Sequence, residues 1–63
     1  MITVTKLNGK QLIVNAELIE MIEETPDTIV TLLNGHKLIV KESSTELVDM
    51  ILNYKRKIFT KYI

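Results

Sequence analysis

The chain has no cysteine and no tryptophan, a single proline, two glycines, one histidine, two tyrosines and one phenylalanine in 63 positions. Each shortage excludes something. Without cysteine there is neither a disulfide staple nor a thiolate metal site, and one histidine is too few for a histidine-based zinc centre. A nucleophile, a base and an orienting partner cannot be assembled around His36 alone. An enzyme is therefore not expected, and no catalytic, cofactor-binding or metal-binding residue is assigned. No apolar run approaches the roughly 20 residues needed to span a bilayer, so no transmembrane segment is expected. Met1-Ile2-Thr3-Val4-Thr5-Lys6 shows neither a basic lead into an apolar segment nor a small-residue cleavage site. No secretory signal is expected, and a cytoplasmic location is the default.

The length implies one domain over residues 1–63. A chain of this size buries only about 60% of the surface its unfolded form exposes, so its core is thin. With no staple or metal to compensate, self-association is the expected source of further stability. Eight basic residues balance eight acidic ones, for a formal net charge of zero. That balance argues against overall charge driving the chain onto nucleic acid or anionic lipid. The charge is nevertheless segregated. Glu17, Glu20, Glu23, Glu24 and Asp27 fall in one stretch without a base, and Lys55, Arg56, Lys57 and Lys61 in another without an acid.

The phrase Leu-Asn-Gly followed by Leu-Ile-Val occurs twice, at residues 7–14 and 33–40. Asn8-Gly9 and Asn34-Gly35 each separate two β-prone runs, the signature of a hairpin closed by a two-residue type I′ turn. Such turns pair Leu7 with Lys10, Thr5 with Leu12 and Thr3 with Val14 on one face, and Val4 with Ile13 on the other. In the second hairpin they pair Ile29 with Val40 and Thr31 with Leu38, then Val30 with Ile39 and Leu32 with Lys37. Both faces of each hairpin then carry apolar residues, unlike a sheet with one solvated face. Either the sheet curls into a small barrel or sandwich, or the helix covers one side and a second copy covers the other. A homo-oligomer is predicted. Neither Asn-Gly pair has the glycine spacing or following helix of a phosphate loop, so these residues are read as structural turns.

Asn15-Ala16-Glu17 reads as a local turn. Spacing alone leaves Leu18 to Glu24 open between strand and helix, but the short distance to the Pro26-Asp27 turn favours a strand. In it, Ile19 and Met21 share one face with Glu23, while Leu18, Glu20, Ile22 and Glu24 share the other. Ser43-Ser44-Thr45-Glu46 fits a capping box, with Ser43 and Glu46 as the reciprocal pair. Leu47, Val48, Ile51, Leu52, Ile58 and Phe59 then form the apolar stripe of a helix. The predicted architecture is α+β, with two β-hairpins, a short central strand and one C-terminal amphipathic helix in a small curled or barrel-like sheet. Strands are predicted over about 2–7, 10–14, 18–24, 28–33 and 36–41, and the helix over about 44–59.

His36 flanks the second turn, where a solvent-exposed cross-strand residue is expected. The acidic stretch lacks the ligand spacing of a calcium loop, so it reads as a solvated face or as a surface meeting a basic partner. Glu20, Glu23 and Glu24 are its candidate binding residues. Lys55, Arg56, Lys57 and Lys61, interleaved with Tyr54, Phe59 and Tyr62, form a candidate surface for an acidic protein patch, an anionic membrane or RNA. Four bases alone would bind phosphate weakly and with strong salt dependence.

Taken together, Leu7-Asn8-Gly9, Asn15-Ala16-Glu17-Leu18-Ile19-Glu20, Ile22-Glu23, Pro26-Asp27-Thr28, Asn34-Gly35, Val40-Lys41-Glu42-Ser43 and Tyr54-Lys55-Arg56-Lys57 resemble the FlbD/SwrD family of small bacterial flagellar and swarming motility proteins. The resemblance covers almost the whole chain and rests on the order and spacing of these elements. His36 stands where a lysine is more usual, and the residues after Lys57 correspond to a variable tail. The resemblance implies a non-enzymatic cytoplasmic protein that helps the flagellar motor generate torque through its stator units. Its partner would be a motor or stator protein, close to the inner face of the membrane. It supplies no catalytic or ligand residues. By pattern, residues 18–52 also look like the β-β-α core of LytTR-type DNA-binding domains. Zero net charge, a shorter chain and predicted inter-strand loops without bases weigh against that alternative.

Overall fold

The computed structural model describes residues 1–61, with side chains described through residue 58. The elements run β1 (Ile2–Thr5), β2 (Gln11–Val14), a short 3-10 turn (Ala16–Leu18), β3 (Ile19–Glu24), β4 (Thr28–Leu32), β5 (Lys37–Val40) and α1 (Ser44–Lys61). The class is α+β, with an antiparallel β1-β2 sheet, an antiparallel β3-β4-β5 sheet and one C-terminal helix. The segment left open between strand and helix is strand from Ile19 onward.

Both repeated phrases make the same turn, but not the two-residue one. In the first, Gly9 N–H donates to Lys6 C=O at 2.9 Å and Lys6 N–H to Lys10 C=O at 2.8 Å. In the second, Gly35 N–H donates to Leu32 C=O at 2.9 Å and Leu32 N–H to His36 C=O at 2.8 Å. Gly9 and Gly35 have φ of 88° and 89°, whereas no other described residue has positive φ. Each loop is therefore three residues long, a type I turn closed by a glycine in the left-handed region. Asn8 and Asn34 serve differently from expectation. Their side-chain oxygens accept the N–H groups of Lys10 and His36, each at 3.0 Å, which locks the turn from within.

The longer loop moves each register by one residue, and a one-residue slip exchanges the faces. The observed partners are Ile2 with Val14, Thr3 with Ile13, Val4 with Leu12 and Thr5 with Gln11. Ile2, Val4, Leu12 and Val14 thus share the inward face, leaving Thr3, Thr5, Gln11 and exposed Ile13 outside. The first hairpin is accordingly one-sided, contrary to the two apolar faces expected. In the second, Thr28 pairs with Val40, Ile29 with Ile39, Val30 with Leu38 and Thr31 with Lys37. Here an apolar outer face remains, because Ile29 and Ile39 stay paired on it.

β3 is irregular between Ile19 and Met21. Ile19 pairs with Leu32 and Met21 with Thr31, so Glu20 is an extra residue in a β-bulge. Residues three apart in a regular strand face opposite ways. The bulge lets Ile19 and Ile22 both pack on the core, and it separates Ile19 from Met21, which was expected beside it.

The two sheets meet at one seam. Lys6 pairs with Val40 in an isolated bridge, and Thr5 C=O accepts the Lys41 N–H at 2.8 Å. The neighbouring donor, Thr5 N–H, goes instead to Glu42 Oε1 at 2.8 Å. A side chain thus takes the place of the next strand residue while the chain turns into α1. Pairing stops there, no barrel closes, and the expected barrel-like curl is not formed.

The core is the space between the inward sheet faces, filled by Ile2, Val4, Val14, Ala16, Val30 and Val40 and capped by Leu47, which is 0% exposed. Along α1, Met50, Ile51 and Tyr54 continue this face, whereas Val48, Leu52 and Ile58 are exposed although all three belonged to the expected stripe. The stripe is narrower than expected because the sheets offer only one shallow saddle to the helix. Phe59 lies outside the described side chains. The helix also runs to Lys61, slightly beyond the expected end.

An added Cβ at Gly35 meets no atom within 4 Å, so backbone conformation alone would make a substitution unfavourable. Gly35→Ala should lower stability by about 1–2 kcal/mol, and Gly35→Asn by less, as asparagine tolerates the left-handed region. Urea unfolding of the three proteins measures both differences; equal stability of Gly35→Ala and wild type would contradict the turn assignment.

Candidate functional site

Among the described residues, no three His, Cys, Asp or Glu side chains gather where they could hold a metal ion. His36 is exposed at the second turn. The structure offers grooves and charged surfaces, and it redistributes the charges that the sequence groups together.

The acidic residues divide three ways. Glu20 protrudes at the bulge, Glu23 lies on the outer sheet face opposite Ile29, and Glu24 ends β3 opposite Thr28. Glu24 is engaged within the fold. Its Oε1 accepts the Ser44 N–H at 2.6 Å, satisfying a donor at the first turn of α1. Beside it, Ser43 Oγ accepts the Glu46 N–H at 3.1 Å, the half of the capping box contributed by the serine.

The basic run divides as well. Consecutive helical residues are about 100° apart, so Lys55, Arg56 and Lys57 cannot form one patch. Helical spacing sets Lys55 on the side of exposed Val48 and Leu52. Lys57 lies on the other side, at the rim of an open groove of about 440 Å3 between β1 and α1. Met1, Ile2, Met50 and Tyr54 supply its apolar surface, with Thr3 and Asn53 as polar neighbours. Lys61 is one helical turn beyond Lys57 in sequence, its side chain outside the described residues, as is all of Tyr62. A second shallow groove opens where the hairpin tips diverge, between Lys6, Leu7 and Asn8 on one side and Lys37, Leu38 and Ile39 on the other.

Sequence reasoning did not find the Lys57 groove, since nothing in the primary structure pairs the start of β1 with Met50 and Tyr54. It also missed the role of Glu42 at the seam. Both side chains that accept backbone donors across long sequence separations have altered acidity. The backbone N–H and the hydroxyl of Ser44 hold Glu24 below the ordinary carboxylate value of 4.5. Partial desolvation raises Glu42, but the backbone and side-chain bonds from Thr5, with help from its own N–H and from Lys41, outweigh it and hold Glu42 below 4.5 too.

A carboxyl group whose pKa is lower folded than unfolded contributes stability above the unfolded value, and that contribution is lost as pH falls through the folded value. The protein should therefore lose stability as the pH drops from 4.5 through the depressed values of Glu24 and Glu42. Urea midpoints from pH 7 to 3 measure this. The double variant Glu24→Gln, Glu42→Gln should be less stable at pH 7 and should show a shallower acid loss; an unchanged slope would contradict the assignment.

The family model of FlbD, flagellar and swarming motility proteins, matches residues 1–59. The chain belongs to this family, whose role is in flagellar and swarming motility and which is not a known enzyme family. The match gives no support to the DNA-binding alternative. Searches of curated proteins and of solved structures returned no significant match. No helix among the described residues is long and apolar enough to cross a membrane.

Proposed function

We infer that this motility protein works without catalysis, as a small interaction module that supports flagellar motor torque by contacting a stator or other motor component. The observation carrying this reading is the groove beside Lys57. An apolar surface built from Ile2, Met50 and Tyr54 with a cation at its rim suits a partner segment that pairs an apolar side chain with a carboxylate. Methionine is well suited to such a surface because its flexible, polarizable side chain adapts to irregular shapes. The work is done in the cytoplasm, beside the inner face of the membrane where the motor sits. The molecule self-associates through the outer face of its three-stranded sheet, where Met21, Glu23, Lys37 and Ile39 are exposed around half-buried Ile29 and buried Thr31.

Deletion in a flagellated host should abolish or weaken swarming while filaments still assemble. Wild type should restore it, and Lys57→Glu should not, whereas Lys55→Glu on the other side of α1 should retain most function. In pull-downs from the same cells, Lys57→Glu and the triple change of Lys55, Arg56 and Lys57 to Glu should lose the partner. A deletion strain lacking filaments would point to assembly or gene expression instead. Normal swarming with Lys57→Glu would remove the groove from the mechanism.

A further inference from the structure

The outer face of the β3-β4-β5 sheet is laid out in two rows across the strands. One row reads Met21, Thr31, Lys37 and the next Glu23, Ile29, Ile39. Met21 and Ile39, 45% and 44% exposed, stand at two opposite corners. Glu23 and Lys37, both exposed, stand at the other two. Ile29 and Thr31 fill the centre on β4. Beyond the bulge, exposed Leu18 and Leu33 are joined by the Leu33 N–H to Leu18 C=O bond of 2.8 Å and extend the apolar surface. Exposed Met21, Ile39, Leu18 and Leu33 on this side form the kind of apolar surface through which chains associate.

The corner pattern selects both the occupant and its orientation. Neighbouring strands are about 4.8 Å apart and alternate residues about 6.8 Å apart, so the four corners form a near-rectangle that a second copy can cover by a twofold rotation. A twofold axis along the strands sets Glu23 over Ile39 and Lys37 over Met21. One across the strands sets Glu23 over Met21 and Lys37 over Ile39. Either buries charge against apolar surface without a partner. An axis along the Glu23 to Lys37 diagonal opposes like charges. Only the axis along the Met21 to Ile39 diagonal brings each Glu23 within side-chain reach of the other copy's Lys37, twice, about 4 Å from direct opposition because the rectangle is not square, while Met21 meets Met21 and Ile39 meets Ile39. The strands of the two sheets then cross steeply, in the orthogonal class of sheet packing. Within the chain, among the described residues, no ion pair engages either Glu23 or Lys37.

We propose that the protein forms an isologous dimer through this face, with the twofold axis on the Met21 to Ile39 diagonal and two reciprocal Glu23–Lys37 pairs. The proposal rests on the self-association reading above and gives it a surface, a symmetry and a specificity. It also accounts for the charges at these positions, which would otherwise interrupt an apolar face to no purpose.

The test is a charge-swap cycle read by size exclusion with light scattering. Wild type is a dimer. Glu23→Lys alone and Lys37→Glu alone each bring two like-charge pairs together in a homodimer, so each should dimerise at least about tenfold more weakly. An equimolar mixture of the two single variants restores both opposite-charge pairs, and should recover a heterodimer that neither forms by itself. The double variant should recover the homodimer. Both side chains are exposed in the single chain, so circular dichroism should show every variant folded. A wild-type monomer at several hundred micromolar would overturn this proposal together with self-association. A wild-type dimer indifferent to the single charge changes would overturn this interface and leave self-association through another surface. Weakened single variants without rescue in the mixture would overturn the diagonal pairing.

Discussion

The backbone at Gly9 and Gly35 passes through positive φ, and the position of that one residue in each hairpin sets everything that follows. A glycine closing a three-residue loop pairs Lys6 with Lys10 and Leu32 with His36. From there the register is fixed along both hairpins. Because side chains alternate with period two, register in turn decides which residues face inward. Ile2, Val4 and Val14 come together with Val30 and Val40 only in this register. Had the loops been two residues long, Thr3 would face Val14 and Thr31 would face Leu38, placing a threonine within each hairpin's apolar row, whereas in the observed register the inward threonine, Thr28, stands at the end of its strand. Leu47 would then have no apolar saddle to cap.

The second constraint is the seam between the sheets. A thin core does not by itself fix two small sheets relative to one another, and here a few directed bonds do so. Thr5 is held on both sides, with its carbonyl taking the Lys41 N–H and its N–H going to Glu42. Glu24 then ties the end of β3 to the first turn of α1 through Ser44. The Glu42 carboxylate replaces a strand–strand bond where the chain leaves the sheet and Glu24 satisfies a donor at the helix start, so the fold stays open without leaving those donors unsatisfied. The same substitution explains why five short strands in so small a domain do not close on themselves.

Much of this architecture was legible in the primary structure, and what was not has identifiable causes. Element order and class follow from the two Asn-Gly signals, the β-prone runs and the Ser43 cap, and the observed bounds fall within a few residues of those expected. Register was not legible, because two-residue and three-residue loops can both be written Leu-Asn-Gly-X; they differ only in whether the leucine before the asparagine is paired or belongs to the loop. The bulge at Glu20 was hidden for a related reason. Ile19 and Ile22 look misaligned for a strand, and spacing alone cannot say whether the strand or the period is irregular. Among the candidate surface residues, the basic run lies on the helix, where three consecutive residues diverge over most of the circumference and so meet different surroundings. The grouping of Lys57 with Met50, Tyr54 and the start of β1 depends on how the sheet and helix dock, which no local pattern encodes.

Membership of a motility family sets the setting, and the layout of the surfaces suggests how so small a chain could act there. The inward faces are used up in the core, the helix covers the saddle between them, and the groove beside Lys57 lies along the helix and β1. The outer face of β3-β4-β5 points away from that core. Self-association through the outer face would therefore leave the groove open on each copy, so that one assembly presents two identical sites. Two linked weak contacts raise effective affinity without any new interaction, provided both sites can be engaged together. On this view the smallness of each groove is no obstacle, because the strength of binding would come from the number of copies rather than from any one surface.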